Sequence, residues 1–209
     1  MSISVESLVL PSQWGSNCYV VRASEHALEA AVVDPGGDLG PLNALLDGHG
    51  VNVAGILVTH TDVDHILGVA ELAEATSAEV WAPAGEVVAL RTGQTRGGHQ
   101  VRPHEPEHVV EDGDRIALAG IEFEVAGIPG HSSGHVAFHA DGALFSGDVL
   151  FEDSVGRVDF EGGDWSQLLA SIKYLLERFG PDTVVYSGHG RPTSLGKELA
   201  TNPFLAELR

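Results

Sequence analysis

Between His60 and His65 the chain places two imidazoles and two carboxylates, His60, Asp62, Asp64 and His65, within six residues. Crowded into a folded interior, such groups repel and desolvate one another unless a cation joins them. The chemistry implied is metal binding, with water activation and carbonyl polarisation as its usual products. The stretch 56–59 is apolar and β-branched, so the cluster sits where a short strand ends. Three more apolar strands end in a similar way, at Gly130-His131, Gly147-Asp148 and Gly188-His189. Glycine there lets the backbone turn tightly and come close to a ligand. One such histidine is more often a plain hydrogen-bonded side chain, but four strand ends together are poorly explained that way.

The elements that must position these groups follow from periodicity. Segments 2–10 and 17–22 alternate or run apolar and read as a hairpin joined by the turn 11–16. A strand over 30–34 is stopped by Pro35-Gly36-Gly37, and Leu39, Leu42, Leu45 and Leu46 then keep helical spacing up to Gly48 and Gly50. A strand over 53–59 follows, then a helix over about 64–75, a short strand at 79–82 and a short helix at 86–91. Residues 92–107 keep neither period and read as a loop that covers the site. Beyond them, strands at 109–110, 115–118, 122–128, 135–139 and 143–146 read as a second sheet of hairpins. Asp164 then caps a helix with Gln167 as its partner, and Trp165, Leu168, Leu169, Ile172, Leu175, Leu176 and Phe179 form its apolar stripe. Segment 183–186 reads as the last strand. Each half thus runs from sheet to helix, as in a sandwich of similar halves.

Composition sets the partners. The chain has 209 residues, 43% of them hydrophobic, which is enough for one domain spanning 1–209. Its 11 basic and 30 acidic side chains give a net charge of -19, which argues against nucleic acid and anionic lipid and for a small-molecule substrate. A lone cysteine, Cys18, and the absence of a basic, apolar leader predict a cytoplasmic protein, and no apolar run is long enough to span a bilayer. Oligomeric state is not legible.

Taken together, the stretch from Thr59 to His65, Pro129-Gly130-His131, Gly147-Asp148 and Gly188-His189 resembles the metallo-β-lactamase-fold hydrolases, and within them the glyoxalase II-like members. Gly156-Arg157-Val158-Asp159 and Thr201-Asn202-Pro203-Phe204 also look like segments of that subgroup. The resemblance covers nearly the whole chain and implies an α/β fold, an αββα metallo-β-lactamase-type sandwich with two divalent metal ions at the shared edge of its sheets. Carried over, His60, the residue at 62 and His131 would hold the first ion; Asp64, His65 and His189 would hold the second; and Asp148 would bridge. The family expects histidine at 62, where this chain has Asp62. A carboxylate oxygen lies as many bonds from Cβ as the inner ring nitrogen of histidine, so Asp62 can reach. The alternative is an outward-facing Asp62 and a weakened first site. As a ligand, Asp62 makes the core more neutral and shifts preference from zinc toward iron or manganese.

The resemblance implies a metal-dependent hydrolase of a thioester or related acyl bond, in which a metal-bridging hydroxide attacks and Asp64 orients it. Glyoxalase II proper continues into a C-terminal helical domain and carries a tyrosine two positions after the last histidine; here twenty residues follow His189 and the position is Arg191. Glutathione specificity is therefore not expected. Arg191 and Arg157 could instead attract an anionic group on the substrate. Two other readings stay open: a persulfide dioxygenase using one iron on His60, His131 and Asp148, and a non-catalytic metal-binding or sensor module. Of the remaining candidates, Cys18 reads as a core residue, Trp14 as surface packing or, by the resemblance, a flank of the pocket, and His99, His104 and His108 as solvated or facing substrate. His135 and His139 share one strand face, with His135 either orienting a ligand or simply hydrogen-bonded.

Overall fold

The computed structural model describes residues 3–209. Strands β1 (Ser4–Val9), β2 (Asn17–Arg22), β3 (Glu29–Val33), β4 (Asn52–Leu57), β5 (Glu79–Pro83) and β6 (His108–Val110) form one six-stranded sheet in that order. Its first three strands are antiparallel neighbours and the rest pair in parallel. Strands β7 (Arg115–Leu118), β8 (Ile121–Gly127), β9 (Val136–Ala140), β10 (Ala143–Gly147), β13 (Val184–Ser187) and β14 (Thr193–Ser194) form a second sheet in the order β14-β13-β10-β9-β8-β7. A small ribbon, β11 (Leu150–Phe151) with β12 (Ser154–Val155), stands apart.

Side-chain alternation decides the layers. On β2, Tyr19 and Val21 point into a core shared with Phe123, Phe138 and Phe145 of the second sheet, while Cys18 and Val20 point the other way. There they meet α1 (Gly40–His49), α3 (Val69–Thr76) and α4 (Val87–Thr92) through Leu42, Leu46, Leu72 and Leu90. On the far side, Leu144 and Ile128 pack against Leu168, Ile172 and Leu175 of α5 (Trp165–Arg178), with Leu195 of α6 (Leu195–Thr201) beside them. Helix, sheet, sheet, helix is the αββα sandwich.

Three expectations need correction. The strand at 109–110 joins the first sheet, not the second, because Trp81 pairs in parallel with His108. The helix expected over 64–75 is two, α2 (Val63–Ile66) and α3, broken at Gly68. A Cβ on Gly68 would lie 2.7 Å from both Leu39 Cδ2 and the Pro35 carbonyl oxygen, so the break is where the chain packs against the loop after β3. The strand at 183–186 is not the last: β14, α6 and a 3₁₀ turn (Pro203–Leu208) follow, tied back by Asn202, whose Nδ2 donates to the Ser154 carbonyl and to Glu198. Of the N-terminal strand over 2–10, Ser2 lies outside the described residues. The Asp164 cap is as expected, its Oδ1 accepting from the Gln167 N–H at 2.8 Å.

Candidate metal centre

Each group predicted from the strand-end pattern lies beyond the end of a strand on one edge of the sandwich. His60 to His65 follow β4, His131 follows β8, Asp148 follows β10 and His189 follows β13. Gly188 shows why glycine recurs at these ends: a Cβ there would lie 2.1 Å from Asp148 Oδ1 and 2.6 Å from His65 Cε1. Asp62 stands at the N-cap of α2 but makes no capping bond; its carboxylate turns into the cluster instead.

The donors fall into two groups around Asp148. His60, His131 and Asp148 offer ligand atoms within 4.8 Å of one another, and so do Asp64, His65 and His189. Asp148 Oδ2 is 3.8 Å from His131 Nε2 and 3.4 Å from His189 Nε2, while its Oδ1 is 3.4 Å from His65 Nε2. Asp64 Oδ2 lies 3.2 Å from His189 Nε2. Ligands about 2.1 Å from a tetrahedral ion stand about 3.4 Å apart, so these spacings suit divalent cations. Nε2 of His60, Nε2 of His65 and Oδ1 of Asp148 are buried and have no hydrogen-bond partner among the described residues. Three orphaned donors aimed into one space are what a cation would satisfy.

Outer contacts fix the rings. Asp34, at the end of β3, accepts from the Thr59 N–H at 2.8 Å, from Thr59 Oγ1 at 2.6 Å and from His65 Nδ1 at 3.0 Å. Thr59 Oγ1, its proton given to Asp34, accepts from His60 Nδ1 at 3.0 Å. One carboxylate therefore turns the Nε2 lone pairs of two histidines inward. His131 Nδ1 donates to the Arg157 carbonyl at 2.8 Å with the same effect. His135 Nε2 accepts from the Asp148 N–H at 3.1 Å, and its ring stacks on His60 at 4.5 Å, which is the orienting position. Glu86 joins the two ligand loops: it accepts from the Thr61 N–H at 3.2 Å, from Thr61 Oγ1, and from Ser132 Oγ at 2.6 Å.

Ionisation follows burial and neighbours. Burial, with His65 and His135 beside it, holds His60 well below the usual imidazole range. Burial also opposes charge on His65, but Asp148 and Asp34 outweigh it and raise that ring. For His189, burial again lowers while Asp148 and Asp64 raise, leaving it at about 9. Burial works against ionised Asp148 and Asp62, yet His65 and His189 hold the first, and His131 and Arg96 the second, well below the carboxylate range.

Arg96 was not anticipated. It reaches in from the 93–107 loop and forms a two-pronged pair with Asp62, Nη2 standing 2.7 Å from Oδ2. Asp62 Oδ2 is also 3.1 Å from His131 Nε2 and 3.8 Å from His60 Nε2, so it faces the cluster. In sequence the only signal was an arginine in a loop expected to cover the site. Asp34 carried a better signal, a polar residue ending an apolar strand, which the following Pro35-Gly36-Gly37 masked as a mere stop.

The cluster opens into a cavity of about 310 Å³ lined by Trp14, Arg96, His99, Arg157 and Phe160 as well as Asp62, Asp64, His131, Asp148 and His189, with His60 and His65 buried behind it. Trp14 is thus a wall of the cavity rather than surface packing, its ring 5.1 Å from that of His99. Arg157 lies over Phe160 at 4.0 Å and pairs with Asp159. Arg191 lies outside this lining, 87% exposed, 3.3 Å from Glu152. His104 and His108 turn to Glu107 and Glu79, away from the donors. Cys18 is fully buried, and burial pushes its thiol well up.

The chain matches the metallo-beta-lactamase superfamily over residues 11–189. A hydroxyacylglutathione hydrolase, GloC, of Haemophilus influenzae is 32% identical over 197 residues, covering 90% of this chain and 92% of that protein. The crystal structure of the BLEG-1 B3 metallo-beta-lactamase superposes with a TM-score of 0.89 at 32% identity, covering 97% of this chain and all of that one. TTHA1623, crystallised in a di-iron-bound form, gives 0.79 at 38% identity over 94% of this chain and 98% of its own. With the strand-end donors, the αββα layers and a match across most of its length in agreement, the chain belongs to the metallo-β-lactamase superfamily.

Proposed function

We propose that this chain is a metal-dependent hydrolase of a thioester or related acyl bond, with His60, Asp62, Asp64, His65, His131, Asp148 and His189 as its ligand set. The observation that carries the reading is the trio of orphaned donors, His60 Nε2, His65 Nε2 and Asp148 Oδ1, buried in the cluster whose Asp148 lines an open cavity. Divalent ions bound there, two when both groups fill, would activate a water and polarise the acyl carbonyl. Asp64, with one oxygen beside His189, is placed to orient that water and steer its proton. Arg157, above Phe160, is placed to meet an anionic group on the acyl or thiol portion. Trp14 and Phe160 offer apolar faces to the remainder. The ligand is taken to be a small molecule rather than nucleic acid or membrane, in keeping with the acidic surface. No helix is long and apolar enough to cross a membrane among the described residues.

The similarity to a hydroxyacylglutathione hydrolase supports thioester chemistry. Arg191 stands where the resemblance expects tyrosine, which supports a thiol other than glutathione. The dioxygenase reading needs one iron on His60, His131 and Asp148, a triad that does converge.

The test is a panel of acyl thioesters, including S-lactoylglutathione, with a β-lactam added because of the BLEG-1 likeness, assayed before and after chelation. Hydrolysis of simple thioesters that disappears on stripping and returns with zinc, iron or manganese is expected. Rates unchanged in protein shown by elemental analysis to be metal-free would sink the mechanism, and oxygen uptake with a persulfide would favour the dioxygenase.

A further inference from the structure

Arg96 does not behave as a surface arginine. Its Nε and Nη2 hold both oxygens of Asp62, Nη1 donates to the His131 carbonyl, and Nη2 also reaches His131 Nε2. The two side chains are only 11% and 14% exposed. The lone pair that His131 presents to the cluster, with Nδ1 committed to the Arg157 carbonyl, is the one Arg96 takes. The other group differs. Among the described residues, Asp64, His65 and His189 face Asp148 with no arginine or lysine among their ion-pair contacts, and His65 Nε2 is left without a hydrogen-bond partner.

We propose that Arg96 is a tethered cation that competes with a divalent ion for Asp62 and His131. The two positions then load in order, the Asp64, His65 and His189 side first and the His60, Asp62 and His131 side second and more weakly.

Charge supports the order. Asp62, Asp64 and Asp148 carry three negative charges, which Arg96 and one divalent ion cancel. A second ion must enter a donor set already neutral in sum, with the outer carboxylates Asp34 and Glu86 beyond it, and must first break a two-pronged, mostly buried pair, a cost of about ten- to a hundredfold in binding constant. Asp62 and Arg96 together also carry the same net charge as the neutral histidine expected at position 62. With Arg96 still nearby, a fully loaded centre would keep the positive charge that Asp62 alone removes.

The inference rests on the cluster being a metal centre, and its readout is binding rather than turnover. The chelator-stripped protein is titrated with Mn²⁺, and separately with Zn²⁺, in equilibrium dialysis with elemental analysis. The wild type is expected to take one ion tightly and a second at least about tenfold more weakly. Arg96→Gln should strengthen the weaker position by about tenfold or more and leave the tighter one within about twofold. Arg96→Lys keeps the charge, loses the fork and should fall between; it serves as the second variant should Gln disturb folding. Equal affinities in the wild type, or an Arg96→Gln or Arg96→Lys isotherm in which the weaker position is unchanged or weakened, would overturn the inference. No binding at all would overturn it together with the metal reading. A protein that loads in this order yet cleaves no thioester would support it while sinking the proposed reaction.

Discussion

The two halves of the cluster are built differently. On the Asp64, His65 and His189 side, two donors are consecutive at the start of α2, and His65 is held by a buried carboxylate, Asp34, from the neighbouring strand end. On the His60, Asp62 and His131 side, the donors come from two loops that Glu86 ties together, and one of them, Asp62, is answered by an arginine 34 residues away. The first arrangement has no basic side chain against its donors; the second carries its own counter-charge. The difference teaches that a substitution at a ligand position has to be read with whatever the rest of the chain brings to meet it.

The largest break in this comparison is one that removes both halves at once. Asp148 alone touches each group, so Asp148→Ala is expected to lower kcat/KM on the best thioester by about a thousandfold or more and to reduce bound metal. His99→Ala, a change in the cavity wall, should stay within about tenfold, since its loss removes a contact and no donor. Comparable losses in the two variants would mean that the site is misplaced.

A graded break comes next. Asp34→Asn should weaken both metal positions, the tighter one by about ten- to a hundredfold, because Asp34 holds His65 directly and His60 through Thr59. Glu86→Gln should act on the weaker position alone, since Thr61 and Ser132 adjoin His60, Asp62 and His131. Dialysis isotherms in which Glu86→Gln weakens the tighter position, or Asp34→Asn leaves it unchanged, would show that the halves are not held in this way.

How far the site could be read from sequence depended on distance along the chain. His60, Asp64 and His65 are legible because they crowd six residues after an apolar strand, and His131, Asp148 and His189 because glycine precedes each. Asp34 bonds His65 across 31 positions, and nothing local distinguishes it from any aspartate before a proline. Arg96 sits in a stretch without periodicity, where pattern carries no information about direction. The αββα layers were implied by the resemblance, and the alternation along β8 agrees with them, but the placement of β6 follows from neither. A three-residue strand is too short for its pattern to choose between two sheets. Gly68 was tolerated within a helical pattern, and only its contact with Leu39 and Pro35 shows why the helix stops.

A subtler break exchanges Asp62. Asp62→Ala removes both a donor and the partner of Arg96, so the weaker position should lose about tenfold or more in affinity, with the tighter one little changed. Asp62→His combined with Arg96→Gln restores the histidine that the resemblance expects and withdraws the competing cation. That double variant should bind close to two ions per chain and shift preference toward zinc. Metal content and selectivity equal to the wild type in both variants would mean that Asp62 is not a donor.

The smallest expected effect sharpens the comparison at the substrate end. Arg157 belongs to the His131 side: its carbonyl holds His131 Nδ1 and its guanidinium lies over Phe160 in the cavity wall. Arg191 follows His189 on the other side but points to solvent beside Glu152. If anionic substrates are met from the cavity, Arg157→Gln should raise KM for a carboxylated thioester by about three- to tenfold, leave kcat nearly unchanged and hardly affect a neutral thioester. The substitution leaves the backbone carbonyl in place, so loss of metal is not expected to confound it. Arg191→Gln should change neither constant, because an exposed arginine outside the cavity contributes little at ordinary ionic strength. A larger rise in KM for Arg191→Gln than for Arg157→Gln would place substrate recognition on the His189 side and reverse the assignment.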